Sequence, residues 1–157
     1  MERQKSSGED NMTPERILVP TDFSPDADRA LRMAVTLGIA LHAHIVLLHV
    51  RDNSELNPWA YSAGAEAATR EVLREHLKLA EEAGLPGEVI LVHGAPWREI
   101  MESAREHNAT LIVMGTHGRS GLYHGLVGSV AEKVVRHAPC PVLVTRDPLY
   151  RESIHNG

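Results

Sequence analysis

A chain of 157 residues with a net charge of −5 and no basic cluster is the size of one ordinary domain and excludes nucleic acid as an expected partner. Hydrophobic residues make up 43% but aromatic ones only 4%, so the core must be aliphatic, and no apolar run approaches the ~18 residues of a membrane span. The first twelve residues lack the apolar stretch of a secretory signal, and one cysteine, Cys140, allows no internal disulfide; both point to a reducing cytoplasm.

In chain order, residues 1–13 are polar and read as a disordered N-terminal tail. Ile17-Leu-Val19 is a first short strand. Ser24-Pro25 reads as an N-cap followed by proline at the first helical position. Ala27, Leu31, Ala34, Val35, Gly38 and Leu41 give the helix that follows one apolar face. Ile45-Val-Leu-Leu-His-Val50 is an unbroken apolar run, as in a strand covered on both sides. Residues 51–64 read as a loop. A long second helix follows, with Ala68, Val72, Leu73, His76, Leu77, Leu79, Ala80 and Ala83 on its inner side, and Gly84 placed to end it in a left-handed cap.

Glu88-Val-Ile-Leu-Val92 is the third strand, and Pro96 opens a third helix with Trp97, Ile100, Met101 and Ala104 on one face. Leu111-Ile-Val-Met114 is the fourth strand. A fourth helix runs from about Gly125 to Arg136, with Val127, Val130, Ala131, Val134 and Val135 as its apolar positions, and Pro139 stops it. Val142-Leu-Val144 is a fifth strand, and residues 147–157 read as a C-terminal tail. There is no internal repeat. Strands alternating with helices imply an α/β fold, an open parallel sheet covered on both faces, with ligands beyond the carboxyl ends of its strands.

Between the fourth strand and the fourth helix lies Gly115-Thr116-His117-Gly118, then nine residues, then Gly128-Ser129. A strand leading through glycines into a helix N-terminus is an anion site: the backbone can approach a phosphate closely, and the first helical N–H groups point at it. The spacing is neither the P-loop pattern nor the tight dinucleotide fingerprint. Each glycine alone has a plainer reading, a tight turn at Gly115 and Gly118 or close helix–sheet packing at Gly128.

This glycine pattern, together with Ile17-Leu-Val-Pro-Thr-Asp-Phe-Ser24, Val46-Leu-Leu-His-Val50 and His137-Ala-Pro-Cys-Pro-Val-Leu-Val144, resembles the ATP-binding branch of the universal stress protein family. The resemblance covers most of residues 15–146 and implies a domain over 14–146 with a Rossmann-like five-stranded parallel sheet in the order 3-2-1-4-5. It places Met114, Gly115, Thr116, His117, Gly118, Gly128, Ser129 and Val130 around the phosphates and ribose of ATP. Asp22 falls at the base and ribose end, Val50 pairs its backbone with the adenine edge, and Pro20 and Thr21 wall the same end. Arg119 is a candidate for a terminal phosphate, since a guanidinium suits one. Mg²⁺ would join through the phosphates rather than through a protein cage. In the implied order Pro141-Val-Leu-Val-Thr145 is an edge strand, short, uncharged and open to a second copy in a homodimer.

Several residues carry rival readings. Asp22 has a rival reading, in which it shapes the start of the first helix, although Ser24 already supplies the cap. His124 could meet a phosphate or stay solvated. His42 and His44 form a weak metal pair or a surface pair, and His49 is a hydrogen-bonded histidine of the core or the rim. Cys140, between two prolines, is a packed thiol rather than a redox sensor. No nucleophile elbow, His-Glu-x-x-His or recognisable Ser/His/Asp set is present. The expected function is therefore an ATP-binding, dimeric stress-response regulator. The rival is a slow ATP hydrolase or phosphotransferase using the same crevice.

Overall fold

The computed structural model describes residues 15–53, 62–117 and 127–147. Strands and helices alternate as β1 (Arg16–Pro20), α1 (Pro25–Leu41), β2 (His44–Arg51), α2 (Ala63–Glu82), β3 (Gly87–His93), α3 (Pro96–Glu106), β4 (Leu111–Gly115), α4 (Ser129–His137) and β5 (Val142–Thr145). All five strands pair in parallel in the order β3-β2-β1-β4-β5. The expected α/β architecture and strand order are what the chain adopts.

The central strands are apolar without interruption because each faces helices on both sides. Ile17, Val19, Ile45 and Leu47 point to one layer, where they meet Leu31, Ala34, Leu73 and Leu77 of α1 and α2. Leu18, Val46, Leu48 and Ile112 point to the other, against Ile100, Ala104, Ala131 and Val134 of α3 and α4. The side-chain period of two thus sorts one aliphatic run into two cores.

Helix ends follow their sequence signals. Ser24 Oγ accepts the N–H of Ala27 at 3.2 Å ahead of Pro25, and Gly84 follows α2 with φ +81°. The helix faces are narrower than the sequence implies. On α2 only Leu73, Leu77 and Ala80 are buried, while Ala68, Val72, Leu79 and Ala83 are exposed. Leu41 and Val135 are exposed as well. A helix lying on a flat layer buries a stripe, and a residue one step off that stripe turns roughly 100° away. The fourth helix starts at Ser129, not near Gly125, and Val127 lies exposed ahead of it.

Pairing between β1 and β4 covers only Ile17 with Leu111 and Leu18 with Ile112, whereas β1 and β2 pair from Arg16 to Pro20. The two strands therefore part toward their carboxyl ends. That parting is where the sheet reverses its winding and where a ligand crevice belongs.

Candidate functional site

A crevice of about 710 Å³ opens above the carboxyl ends of β1, β2 and β4. Its size lies within the usual range for a small-molecule or cofactor site. Pro20, Thr21, Asp22, Val50, Met114, Gly115, Thr116, His117, Gly128, Ser129 and Val130 all line it. Those residues come from four separate segments of chain, and the switch between β1 and β4 gathers them. Gly118, Arg119 and His124 lie outside the described residues.

At the end of the crevice over β2, the Leu48 carbonyl accepts the N–H of Thr21 at 2.8 Å. By the two-residue period of a strand, the backbone groups of Val50 face the same way, past the end of β1 at Pro20. A planar base edge with its own donor and acceptor can lie there. Thr21 is buried, its Oγ1 accepts the N–H of Phe23, and its carbonyl accepts Nδ1–H of His49 at 2.8 Å. His49 is thus hydrogen-bonded and half-buried, a rim residue rather than a core one. Asp22 does shape the turn into α1, with Oδ1 accepting the N–H of Ser24 at 3.0 Å, and it also lines the crevice.

Among the wall residues that escaped the sequence reading are Phe23 and Arg51. Phe23, the chain's one phenylalanine, sits in the left-handed region at φ +64° with its ring 4.6 Å from that of His49. Such a conformation in an aromatic residue is held only by its surroundings. Its rarity in the composition was the one available signal. Arg51 donates to the Ala65 carbonyl at 2.9 Å and to Thr69 Oγ1, tying α2 to this end of the crevice. That partnership crosses from one element to another and leaves no local mark.

At the other end, α4 begins with no side chain capping it; Gly128 occupies the N-cap. The first N–H groups of a helix need partners, and an anion can supply them. The glycines serve this end by their smallness. Neither Gly115 nor Gly128 has positive φ, so the tight-turn reading of Gly115 does not hold. A Cβ on Gly115 would lie 2.9 Å from Asp26 Cβ, and one on Gly128 would lie 2.7 Å from the Thr116 carbonyl oxygen. Thr116 itself is spent on structure. Its N–H and Oγ1 both donate to the Thr145 carbonyl, at 3.2 and 3.0 Å, so its amide does not face a phosphate.

His117 completes this end. Its Nδ1 lies 3.6 Å from Asp26 Oδ2, and its Nε2 is buried with no hydrogen-bond partner among the described residues. The remaining sequence candidates sit elsewhere. Among the described residues no three His, Cys, Asp or Glu side chains gather to hold a metal, and His44 pairs instead with Glu88 at 3.5 Å. Burial pushes the Cys140 thiol up, away from the thiolate a redox sensor needs. Among the described residues no helix is long and apolar enough to cross a membrane.

A model of the universal stress protein family matches residues 14–146. Universal stress protein MJ0531 of Methanocaldococcus jannaschii is 36% identical over 140 residues, spanning 85% of this chain and 82% of that protein. Among solved structures, universal stress protein UspA from Lactobacillus plantarum superposes with a TM-score of 0.74 at 28% identity, covering 87% of this chain and 100% of its own. A universal stress protein in complex with cAMP superposes with a TM-score of 0.66 at 30% identity, covering 85% of this chain and 97% of its own.

Proposed function

The chain belongs to the universal stress protein family, and from that premise we propose that it is an ATP-binding regulator of the stress response. One observation carries the reading: the candidate residues that the structure describes converge on a single crevice with a base-sized slot at one end and an uncapped helix N-terminus at the other. The similar protein solved with cAMP supports an adenine nucleotide as the ligand class. Pro20, Thr21, Asp22 and Val50 take the base and ribose. Met114, Gly115, His117, Gly118, Arg119, Gly128, Ser129 and Val130 surround the phosphates. Mg²⁺ enters with the phosphates. Residues 14–146 form the nucleotide-binding domain between two tails, in a cytoplasmic homodimer joined along β5.

Thermal and chemical unfolding in the presence of ATP tests this. A ligand that binds only the folded state adds about 2.7 kcal/mol at one hundred times its Kd. ATP is expected to raise the melting temperature and GTP to do so less, because the Val50 backbone offers one donor–acceptor pattern to a base edge. An unchanged melt with millimolar adenine nucleotide would overturn the reading.

A further inference from the structure

An oriented imidazole stands at the phosphate end of the crevice. Asp26, in the first turn of α1, holds two partners: Arg29 Nη1 lies 2.5 Å from its Oδ1, and His117 Nδ1 lies 3.6 Å from its Oδ2. Arg29 is fixed in turn by Asp147 at 2.9 Å. The carboxylate is mostly buried, so its direction is set from both oxygens. A carboxylate beside Nδ1 favours the tautomer with its proton on Nδ1, which leaves Nε2 as a lone pair. That nitrogen is buried and without a hydrogen-bond partner among the described residues; His117 itself lines the crevice next to Thr116, and its Cα lies 3.8 Å from where a Cβ on Gly128 would stand. A buried, orphaned acceptor in a site for a charged ligand calls for a water or a ligand atom.

We infer that His117, positioned by Asp26, is a general base that lets this protein slowly hydrolyse the terminal phosphoanhydride of a bound nucleoside triphosphate. The inference rests on the proposed ATP site and gives it an activity. In the step, a water oxygen forms a bond to the γ-phosphorus as its proton passes to His117 Nε2. The bond from the γ-phosphorus to the β,γ-bridging oxygen breaks, with the electron pair leaving on ADP. His117 then returns the proton to solvent or to the inorganic phosphate released. The 3.6 Å separation from Asp26 is that of a ligand-free site; such contacts tighten when substrate is bound. Phosphoryl transfer depends mainly on positioning and charge, so a base alone gives slow turnover. Slow turnover suits a regulator, since hydrolysis resets the nucleotide state.

The full chain, with ATP and Mg²⁺, is assayed for phosphate release at saturating ATP, so that a change in affinity drops out. His117→Gln and Asp26→Asn are purified alongside the parent, and binding is read separately by thermal melt. His117→Gln is expected to lower the rate about 100-fold, the usual worth of a general base. Asp26→Asn should lower it about tenfold or more by freeing the tautomer. A parent that binds ATP without releasing phosphate overturns the inference and leaves the proposed function standing. Equal rates in parent and variants, the mark of a contaminating hydrolase, overturn it too. A parent that binds no nucleotide overturns the proposed function itself.

Discussion

At the scale of single residues, Gly128 and Ser129 separate structural need from ligand contact. The Gly128 N–H donates to the Thr116 carbonyl at 2.7 Å, and a Cβ on Gly128 would sit 2.7 Å from the same oxygen. The obstacle is backbone, which cannot swing away as a side chain can. Gly128→Ala is therefore expected to cost about 1–3 kcal/mol of stability by overpacking, read in urea unfolding, before any effect on nucleotide. Ser129 is exposed at the first position of α4, so Ser129→Ala should change stability by less than about 0.5 kcal/mol. It should weaken ATP binding about tenfold by removing one hydrogen bond to a charged group. Titration of both variants decides it: if Ser129→Ala binds ATP as tightly as the parent, the hydroxyl does not touch the phosphates.

At the scale of the element, β5 is one of the sheet's two edge strands, paired on one side with β4. Val142 and Val144 turn inward and pack with the α3–α4 layer, while Leu143 faces outward and is 37% exposed. An edge strand with an outward leucine and no guarding charge is open to a second copy of itself. Lysine at Val142 or Val144 would damage the core and so could not distinguish unfolding from dissociation. Leu143→Lys sets like charges across a two-fold seam without entering the core. Light scattering is expected to give a dimer for the parent and a shift toward monomer for Leu143→Lys, with an unchanged circular dichroism spectrum. A monomeric parent, or a variant that remains dimeric, places the interface elsewhere.

At the scale of the whole molecule, the two ends of the sheet differ in their chemistry. The carboxyl ends hold the crevice. The amino ends hold an ion cluster in which Glu88 of β3 faces Arg16 of β1 at 2.5 Å, His44 of β2 at 3.5 Å and His107 after α3 at 3.8 Å. Burial, and then the Arg16 charge, push the His44 pKa down despite Glu88. The sign follows from proton counting. Below the ordinary histidine value of about 6.5, the unfolded chain takes up a proton that folded His44 resists. The contribution of neutral His44 is thus complete above that value and is lost as pH falls below it. Urea unfolding at pH 7.5 and 5.5 should show the parent losing stability on acidification, and His44→Gln losing less. Equal losses would remove His44 from the account.

Local signals carried most of the fold. Unbroken aliphatic runs marked β1, β2 and β4, and Ser24-Pro25 and Gly84 marked helix ends, because propensity and capping act over a few residues. The glycine spacing likewise marked the end of the crevice between β4 and α4, since a strand–loop–helix connection is local. The strand order came from family resemblance, and the structure bears it out. What lay beyond any local pattern depended on contacts between distant segments. The turn at Gly115 became a matter of room for Asp26, Thr116 was spent on Thr145, and Arg51 reached across to α2. Asp26 and His117 lie far apart in sequence and meet only because β1 and β4 are neighbours at the switch of the sheet. Sequence by itself determined where the backbone could turn and which faces were apolar. Tertiary structure alone decided which polar groups meet, because that depends on how the strands are ordered across the sheet.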